Sequence, residues 1–332
     1  MPITVTGHPK APVVLDDVVD DPERVRDLAR ANGPYWQPGR MLTTSGAPRD
    51  AAATVDPDLE VDPRLVGPVF RGDWAFGDAL VDGAEALLHH EAFTRAAGAL
   101  YGTEVVVPEQ VYVNLTTPMP RTGFSHTDIP EFRGMDRRNT PAWLLSAMGV
   151  SGCFEAERIH IVTAVAWFYR GEAGGLRYWP TGLAGPSVLQ SDTWNTAVVG
   201  DNDFMPHEVQ RVGPRGSRPP EGMTIRSELV PDDGTWAIVD DGTVLARYAD
   251  DEVRLSLSWK AKVYADDDER VRAEAGTDGV SLEEALRRLE ADLAASDRPE
   301  PLAGRDLDSG ALRNQLDRRY STYAPSVAPS AG

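Results

Sequence analysis

The sequence contains a single cysteine, Cys153, among its 332 residues. No disulfide can form within the chain and no thiolate metal cluster can be assembled from it. A reducing cytoplasm is therefore the expected setting, and Cys153 is read as a small buried or half-buried side chain. Basic residues are also scarce, 33 against 52 acidic ones, for a formal charge of −19. A field of that sign repels phosphate backbones and anionic lipid surfaces, so neither nucleic acid nor a membrane is an expected partner. Long apolar runs are missing: "IHIVTAVAWFY" (159–169) is far too short to cross a bilayer. The opening "MPITVTGHPKAPVVLDD" lacks a basic stretch followed by an apolar one, so no secretory leader is expected. No internal repeat is present. The 41% of hydrophobic residues is enough to build a core for one large domain or two ordinary ones.

Residues 12–40 read as a short strand, a turn at Asp21-Pro22 and a helix with Val25 and Leu28 on one face. The run 76–102 reads as helices broken near His89 and His90. Adjacent helical positions diverge by about 100°, so these two are expected to cap or face solvent rather than share an ion. From 105 the texture becomes short β-rich runs bounded by Gly, Pro and Asp, which predicts an antiparallel sandwich or barrel. Helix returns after 265. "SLEEALRRLEADLAA" opens with a capping box, Ser281 and Glu284, and carries Leu282, Leu286, Leu289 and Leu293 on one stripe. The expected organisation is an N-terminal α/β flanking segment (1–104), a β core (105–265), a helical extension (266–321) and a disordered tail (322–332). Two non-strand segments interrupt the β region, 129–158 and "GPRGSRPPEG" (213–222), and long insertions of this kind serve as lids or binding loops.

The chemistry-bearing pattern starts in "GFSHTDIPEF" (123–132). In an extended strand residues i and i+2 share a face, so His126 and Asp128 converge while Thr127 turns away. A third ligand is offered by His207 in "DNDFMPHEVQRV" (201–212). Two histidines and a carboxylate on one face of an octahedral metal leave three positions open, the arrangement used by non-haem ferrous oxygenases. In "EVRLSLSWKAKVYA" (252–265) Arg254 and Ser256 also lie two apart, a fork suited to a carboxylate. The competing reading of Arg254 is an edge-strand residue paired with Asp250 or Asp251. In "VYVNLTTPM" (111–119) alternation places Tyr112, Asn114 and Thr116 on one face and Val111, Val113 and Leu115 on the other, so the polar row either faces solvent or lines a site.

His126-x-Asp128, the distant His207 and Arg254-x-Ser256 resemble the Fe(II)/2-oxoglutarate-dependent oxygenase superfamily. "GEAGGLRYWP" (171–180) is similar to a hairpin many members carry. The opening residues 13–29 and 35–40 are similar to a group of bacterial oxygenase-like proteins. The resemblance covers roughly 105–265 and implies a mainly β fold with flanking helices, built on a double-stranded β-helix (jelly roll, cupin-like) core. It implies Fe(II) on His126, Asp128 and His207, and 2-oxoglutarate anchored by Arg254 and Ser256 with help from Asn114 and Tyr112. Arg121, Arg177 and Trp179 are the expected walls of a small-molecule pocket.

The activity so implied is a non-haem iron dioxygenase. It consumes O2 and 2-oxoglutarate, with ascorbate as activator in vitro, releases succinate and CO2, and hydroxylates a C–H bond of a small molecule, an amino acid or a carrier-tethered intermediate. A carboxylate at 128 leaves no protein position for chloride and favours hydroxylation over halogenation. Desaturation, cyclisation or epoxidation with the same oxidant, a metal- or ligand-binding jelly roll without turnover, and a cupin-like zinc or manganese enzyme are the alternatives. In many family members the arginine follows the distal histidine more closely than Arg254 follows His207, and Arg211 and Arg226 lie nearer. Arg254 is preferred because "RLSLSW" has the composition of the family's last core strand.

Overall fold

The computed structural model describes residues 9–38, 40, 66–120, 125–276 and 278–320. Arg121 and the expected tail at 322–332 lie outside the described residues. The chain opens with β1 (Val13–Asp16), α1 (Pro22–Ala31), β2 (Tyr35–Trp36), β3 (Val69–Phe76) and β4 (Asp78–Ala79). Helices α2 (Glu85–Leu88) and α3 (Glu91–Tyr101) precede β5 (Val106–Thr116), β6 (Glu131–Phe132), α4 (Ala142–Ser151) and β7 (Arg158–Phe168). Then come β8 (Leu176–Tyr178), β9 (Val188–Gln190), β10 (Trp194–Gly200), β11 (His207–Val209), β12 (Glu228–Asp232), β13 (Thr235–Asp240) and β14 (Thr243–Ala249). The series closes with β15 (Arg254–Val263), α5 (Asp267–Ala275), α6 (Leu282–Ala295) and α7 (Gly310–Arg319).

The strands form a large antiparallel sheet in the order β1-β10-β7-β15-β5-β3-β2-β12-β13-β14 and a small one in the order β11-β8-β9. A bridge between His126 and His207 adds a fourth position beside β11. Core strands β5, β15, β7 and β10 stand against β11, β8 and β9, which is the strand order of a double-stranded β-helix. The architecture is mainly β with flanking helices, as the run of short strands predicts. The segment before 105 also supplies strands to this sheet, since β1 pairs with β10 and β3 with β5. The separation from His207 to Arg254 is filled by the β12–β13–β14 meander, which extends the sheet beyond β2.

Alternation along β15 decides what each face of the sheet holds. Leu255, Leu257, Trp259, Ala261 and Val263 point into the main apolar core with Val111, Val113 and Leu115 of β5 and Val162, Ala164 and Ala166 of β7. Helices α1 to α3 cover this face through Val25, Ala29, Leu87, Leu88, Phe93, Ala96 and Ala97. Trp259 is pinned there by donating its indole N–H to the Leu88 carbonyl at 2.7 Å. His90 acts as the N-cap of α3, its Nδ1 accepting from Phe93 N at 3.4 Å, which explains the break between the two helices. The opposite face, carrying Arg254, Ser256, Ser258 and Lys260, looks toward the small sheet across a compact cluster of Trp167, Leu176, Tyr178, Val198 and Met205.

A separate apolar cluster joins the 129–158 insertion to the C-terminal helices: Phe132, Leu144, Leu145, Met148 and Phe154 pack on Leu286, Leu289, Leu293, Leu312 and Leu316. The insertion is thus backed by a core of its own. The expected α6 stripe holds for three of its four leucines. Leu282 is 39% exposed and lies outside the cluster, which the first turn joins through Ala285 instead. The capping box is half formed: Ser281 Oγ accepts from Glu284 N at 3.3 Å, but the Glu284 carboxylate turns to Arg287 and Arg288, which as guanidinium donors are stronger partners than a backbone amide. Among the described residues no helix is long and apolar enough to cross a membrane.

Leu289 is fully buried at the centre of this second cluster. Leu289→Ala is expected to cost about 2–5 kcal/mol by urea unfolding. Hydrogen exchange should show faster opening of α4, α6 and α7 while β5, β7 and β15 keep their protection.

Candidate metal and anion site

Residues 126 to 128 run extended beside β11. The bridge is reciprocal, with His126 N donating to His207 O at 3.0 Å and His207 N donating to His126 O at 2.9 Å. Asp128 N donates to Asn202 O at 2.8 Å, which fixes the next step of the chain. This backbone pairing brings His126, Asp128 and His207 together, with one ligand atom from each lying within 4.8 Å of the others. The two imidazole centroids are 4.6 Å apart and inclined at 51°, and His207 Nε2 lies 3.7 Å from Asp128 Oδ1.

The surroundings prepare each donor atom. His207 Nδ1 lies 2.9 Å from the Met205 carbonyl oxygen, so Nδ1 carries the proton and the Nε2 lone pair faces the carboxylate side. Burial, assisted by the neighbouring His126, lowers the His207 imidazolium to about 4, so the ring is neutral at pH 7. Asp128 Oδ2 accepts from Lys260 Nζ at 2.6 Å and from Thr163 Oγ1 at 3.3 Å, leaving Oδ1 turned to His207. Burial alone would push this carboxyl up, but the Lys260 ammonium and then His207 hold it well below the usual carboxylate range. Burial likewise disfavours the Lys260 ammonium, which Asp128 more than restores.

Arg254 lies further along the same sheet face, opposite Thr116, with Ser256 opposite Asn114 and Ser258 opposite Tyr112. Its guanidinium is 1% exposed. Nε donates to Gly174 O at 2.5 Å and Nη1 to Ser256 Oγ at 2.9 Å, while Nη2 is buried with no partner. No carboxylate among the described residues pairs with it, and burial without one pushes the guanidinium down to about 10. Gly174 is obligatory here: it has φ +76°, and a Cβ would lie 2.8 Å from the Tyr169 ring and 3.0 Å from Arg254 Cδ. Asp250, weighed above as a partner of Arg254, is instead held by Arg26, Arg30 and Trp236, and Asp251 is exposed. Of the nearer arginines, Arg211 is paired with Glu172 at 2.6 Å and Arg226 is exposed.

Tyr112 and Asn114 share the face of Arg254 and Ser256, and Tyr112 is buried. Arg177 is placed elsewhere. It faces away from the buried Leu176 and Tyr178, near Glu208 (3.5 Å) and bonded to Ser187 (2.9 Å), because alternation along β8 reverses its side. Trp179 is half-buried at the end of β8, its N–H donating to Pro206 O at 2.9 Å.

Three residues near the site escaped the reading of the sequence. Lys260 continues the i, i+2 series from Arg254, and that periodicity was the signal available. Arg71 sits on β3, a strand obscured in sequence by Gly72 and Asp73 and by a bulge between Asp73 and Ala75. Asp203 lies in the loop before His207, buried beside Arg158 at 3.5 Å with Oδ1 unpartnered.

No family model matches the chain, and no curated protein sequence matches it. Among solved structures it is similar to an oxidoreductase of the 2OG-Fe(II) oxygenase family from Burkholderia pseudomallei, at 14% identity over 76% of this chain and 84% of that one, TM-score 0.38. It is similar to a Pseudomonas putida prolyl-4-hydroxylase, at 16% identity over 77% and 94% of the two chains, TM-score 0.37. It is also similar to HygX from Streptomyces hygroscopicus, solved with nickel, 2-oxoglutarate and hygromycin B bound, at 10% identity over 77% and 84%, TM-score 0.40. Likeness of this degree defines neither activity nor substrate, which rest on the side chains described above.

Asp203 yields a pH signature. Burial, against the opposing pull of Arg158, raises its carboxyl to about 7. The folded state therefore holds a proton that the unfolded chain, with an ordinary carboxyl, has released. The associated stability is complete at acid pH and is lost as pH rises through about 7. Asp203→Asn should be more stable than the parent at pH 8, by roughly 1–4 kcal/mol, with the difference closing toward pH 4 in paired urea titrations.

Proposed function

We propose that the protein is a non-haem Fe(II)- and 2-oxoglutarate-dependent oxygenase that hydroxylates a C–H bond of a small molecule. The observation that carries this reading is the buried, carboxylate-free guanidinium of Arg254 on the sheet face that also holds Lys260 against Asp128. A histidine–histidine–carboxylate set alone suits several divalent metals. A buried guanidinium with an unused N–H beside it calls for a second anion, and a five-carbon dicarboxylate that chelates metal at one end and ends in a carboxylate at the other meets both demands.

The donor set fits a ferrous ion: two imidazoles and one carboxylate oxygen, with His207 oriented by the Met205 carbonyl and Asp128 by Lys260 and Thr163. His126, Asp128 through Oδ1 and His207 through Nε2 would hold it. Arg254 and Ser256 would receive the distal carboxylate of 2-oxoglutarate, with Asn114 and Tyr112 lining its path. Iron and 2-oxoglutarate, when bound, supply with O2 the oxidation that yields succinate, CO2 and the oxygen atom inserted into the substrate. The chain's own part is placement. Lys260 and Thr163 keep Asp128 from offering both oxygens to the metal, and Trp167, Leu176, Tyr178, Val198 and Met205 exclude water from the inter-sheet space.

Anaerobic titration should give one Fe(II) per chain, and His207→Ala should abolish it. Arg254→Leu should raise the 2-oxoglutarate dissociation constant at least about a hundredfold, while Fe(II) affinity without cosubstrate changes little. Succinate release in air, even without an identified substrate, would support turnover. Iron binding with no 2-oxoglutarate affinity would instead make this a metal-binding jelly roll, and an unchanged constant for Arg254→Leu would move the anchor to another residue.

A further inference from the structure

Register extends the site face of the sheet past the metal-ligand set. Ser256 stands opposite Asn114, Asn114 opposite Arg71, Arg71 opposite Trp36, and Trp36 opposite Glu228. Residues directly opposite in antiparallel pairs point to the same side, so these five form one row across β15, β5, β3, β2 and β12. Exposure rises along it, from 2% at Ser256 to 15% for the Arg71 side chain and 34% for that of Glu228. The row therefore runs outward from the buried Ser256 end of the site, with Arg71 at its middle.

Arg71 is held rather than free. Its guanidinium stacks on Tyr112, Cζ lying 3.5 Å from the ring centroid, and Nη2 donates to Asp73 Oδ1 at 2.9 Å. Asp73 is itself fixed by Gln110, which donates at 3.2 Å. Yet Arg71 Nε is buried with no partner. Tyr112 stands opposite Ser258 of β15, next on that face to Lys260, whose ammonium holds Asp128, so the Arg71 stacked on Tyr112 belongs to the face that holds the metal carboxylate.

A buried guanidinium N–H left without an acceptor is costly, and a ligand that brings a carboxylate oxygen to it gains correspondingly.

We infer that Arg71 forms a carboxylate subsite for the primary substrate, which is therefore a carboxylic acid. This rests on the iron and 2-oxoglutarate reading and specifies its substrate class. Arg71 supplies the recognising N–H groups, and its rigid mounting on Tyr112 and Asp73 fixes the distance between the bound carboxylate and the carbon presented to the metal.

The test uses protein loaded anaerobically with Fe(II) and 2-oxoglutarate, with the colour of the iron chelate confirming that cosubstrate stays in place. Propionate, isobutyrate and phenylacetate are compared with their neutral amides at constant ionic strength, affinity being read from the shift in thermal midpoint with concentration. At least one acid should bind tenfold or more tightly than its amide. The preference should fall below about twofold in the paired variant Arg71→Met with Asp73→Asn, which removes both members of the ion pair so that neither is left buried alone, and Arg71→Lys should retain part of it. Equal behaviour of acids and amides, including no binding by either, overturns the subsite, as does a preference that survives the paired variant. Failure to load iron and 2-oxoglutarate at all would overturn the oxygenase reading instead.

Discussion

Strand β15 lies between β5 and β7, and its register with both decides which of their side chains face the site. Its odd-numbered side chains from Leu255 to Val263 fill the core beneath the N-terminal helices, and its even-numbered ones carry Arg254, Ser256 and Lys260 to the other face. A slip of one residue would drive three cations, Arg254, Lys260 and Lys262, into the core and turn Trp259 toward the site. The cost of that exchange enforces the pairing, so the apolar packing of one face is what positions the polar groups of the other.

The ionic groups on the site face are each answered in a graded way. Asp128 has one oxygen held by Lys260 and Thr163 and the other turned to His207. Lys260 has an anion, Arg71 has Nη2 on Asp73 and Nε without a partner, and Arg254 has no anion among the described residues. A protein folding only for stability would pair or omit such groups. Their incompleteness at positions on one face is what a site for acidic ligands would require.

The helical extension and the 129–158 insertion form a unit of their own. Leu286, Leu289 and Leu293 pack against Leu144, Leu145 and Met148, so the C-terminal helices buttress the segment that follows Asp128 directly. Removing the extension would strip the apolar backing from that segment, which ties a region remote in sequence to the geometry of the site.

The sequence by itself determined the local patterns. His126-x-Asp128 and Arg254-x-Ser256 were legible because a two-residue period needs only an extended backbone to place side chains together. The helix break at His90 and the stripe from Leu286 to Leu293 were legible from capping and periodicity in the same way. Tertiary structure decided the rest. That Arg254 lacks a carboxylate depends on Asp250 being claimed by Arg26 and Arg30 from another part of the chain. That Arg177 faces outward depends on which side of β8 packs inward. That Arg71 and Lys260 join the site depends on β3 and β15 both pairing with β5, contacts between residues far apart in sequence that composition does not encode. Periodicity fixes which residues share a face, but only the pairing of distant strands decides what that face looks at.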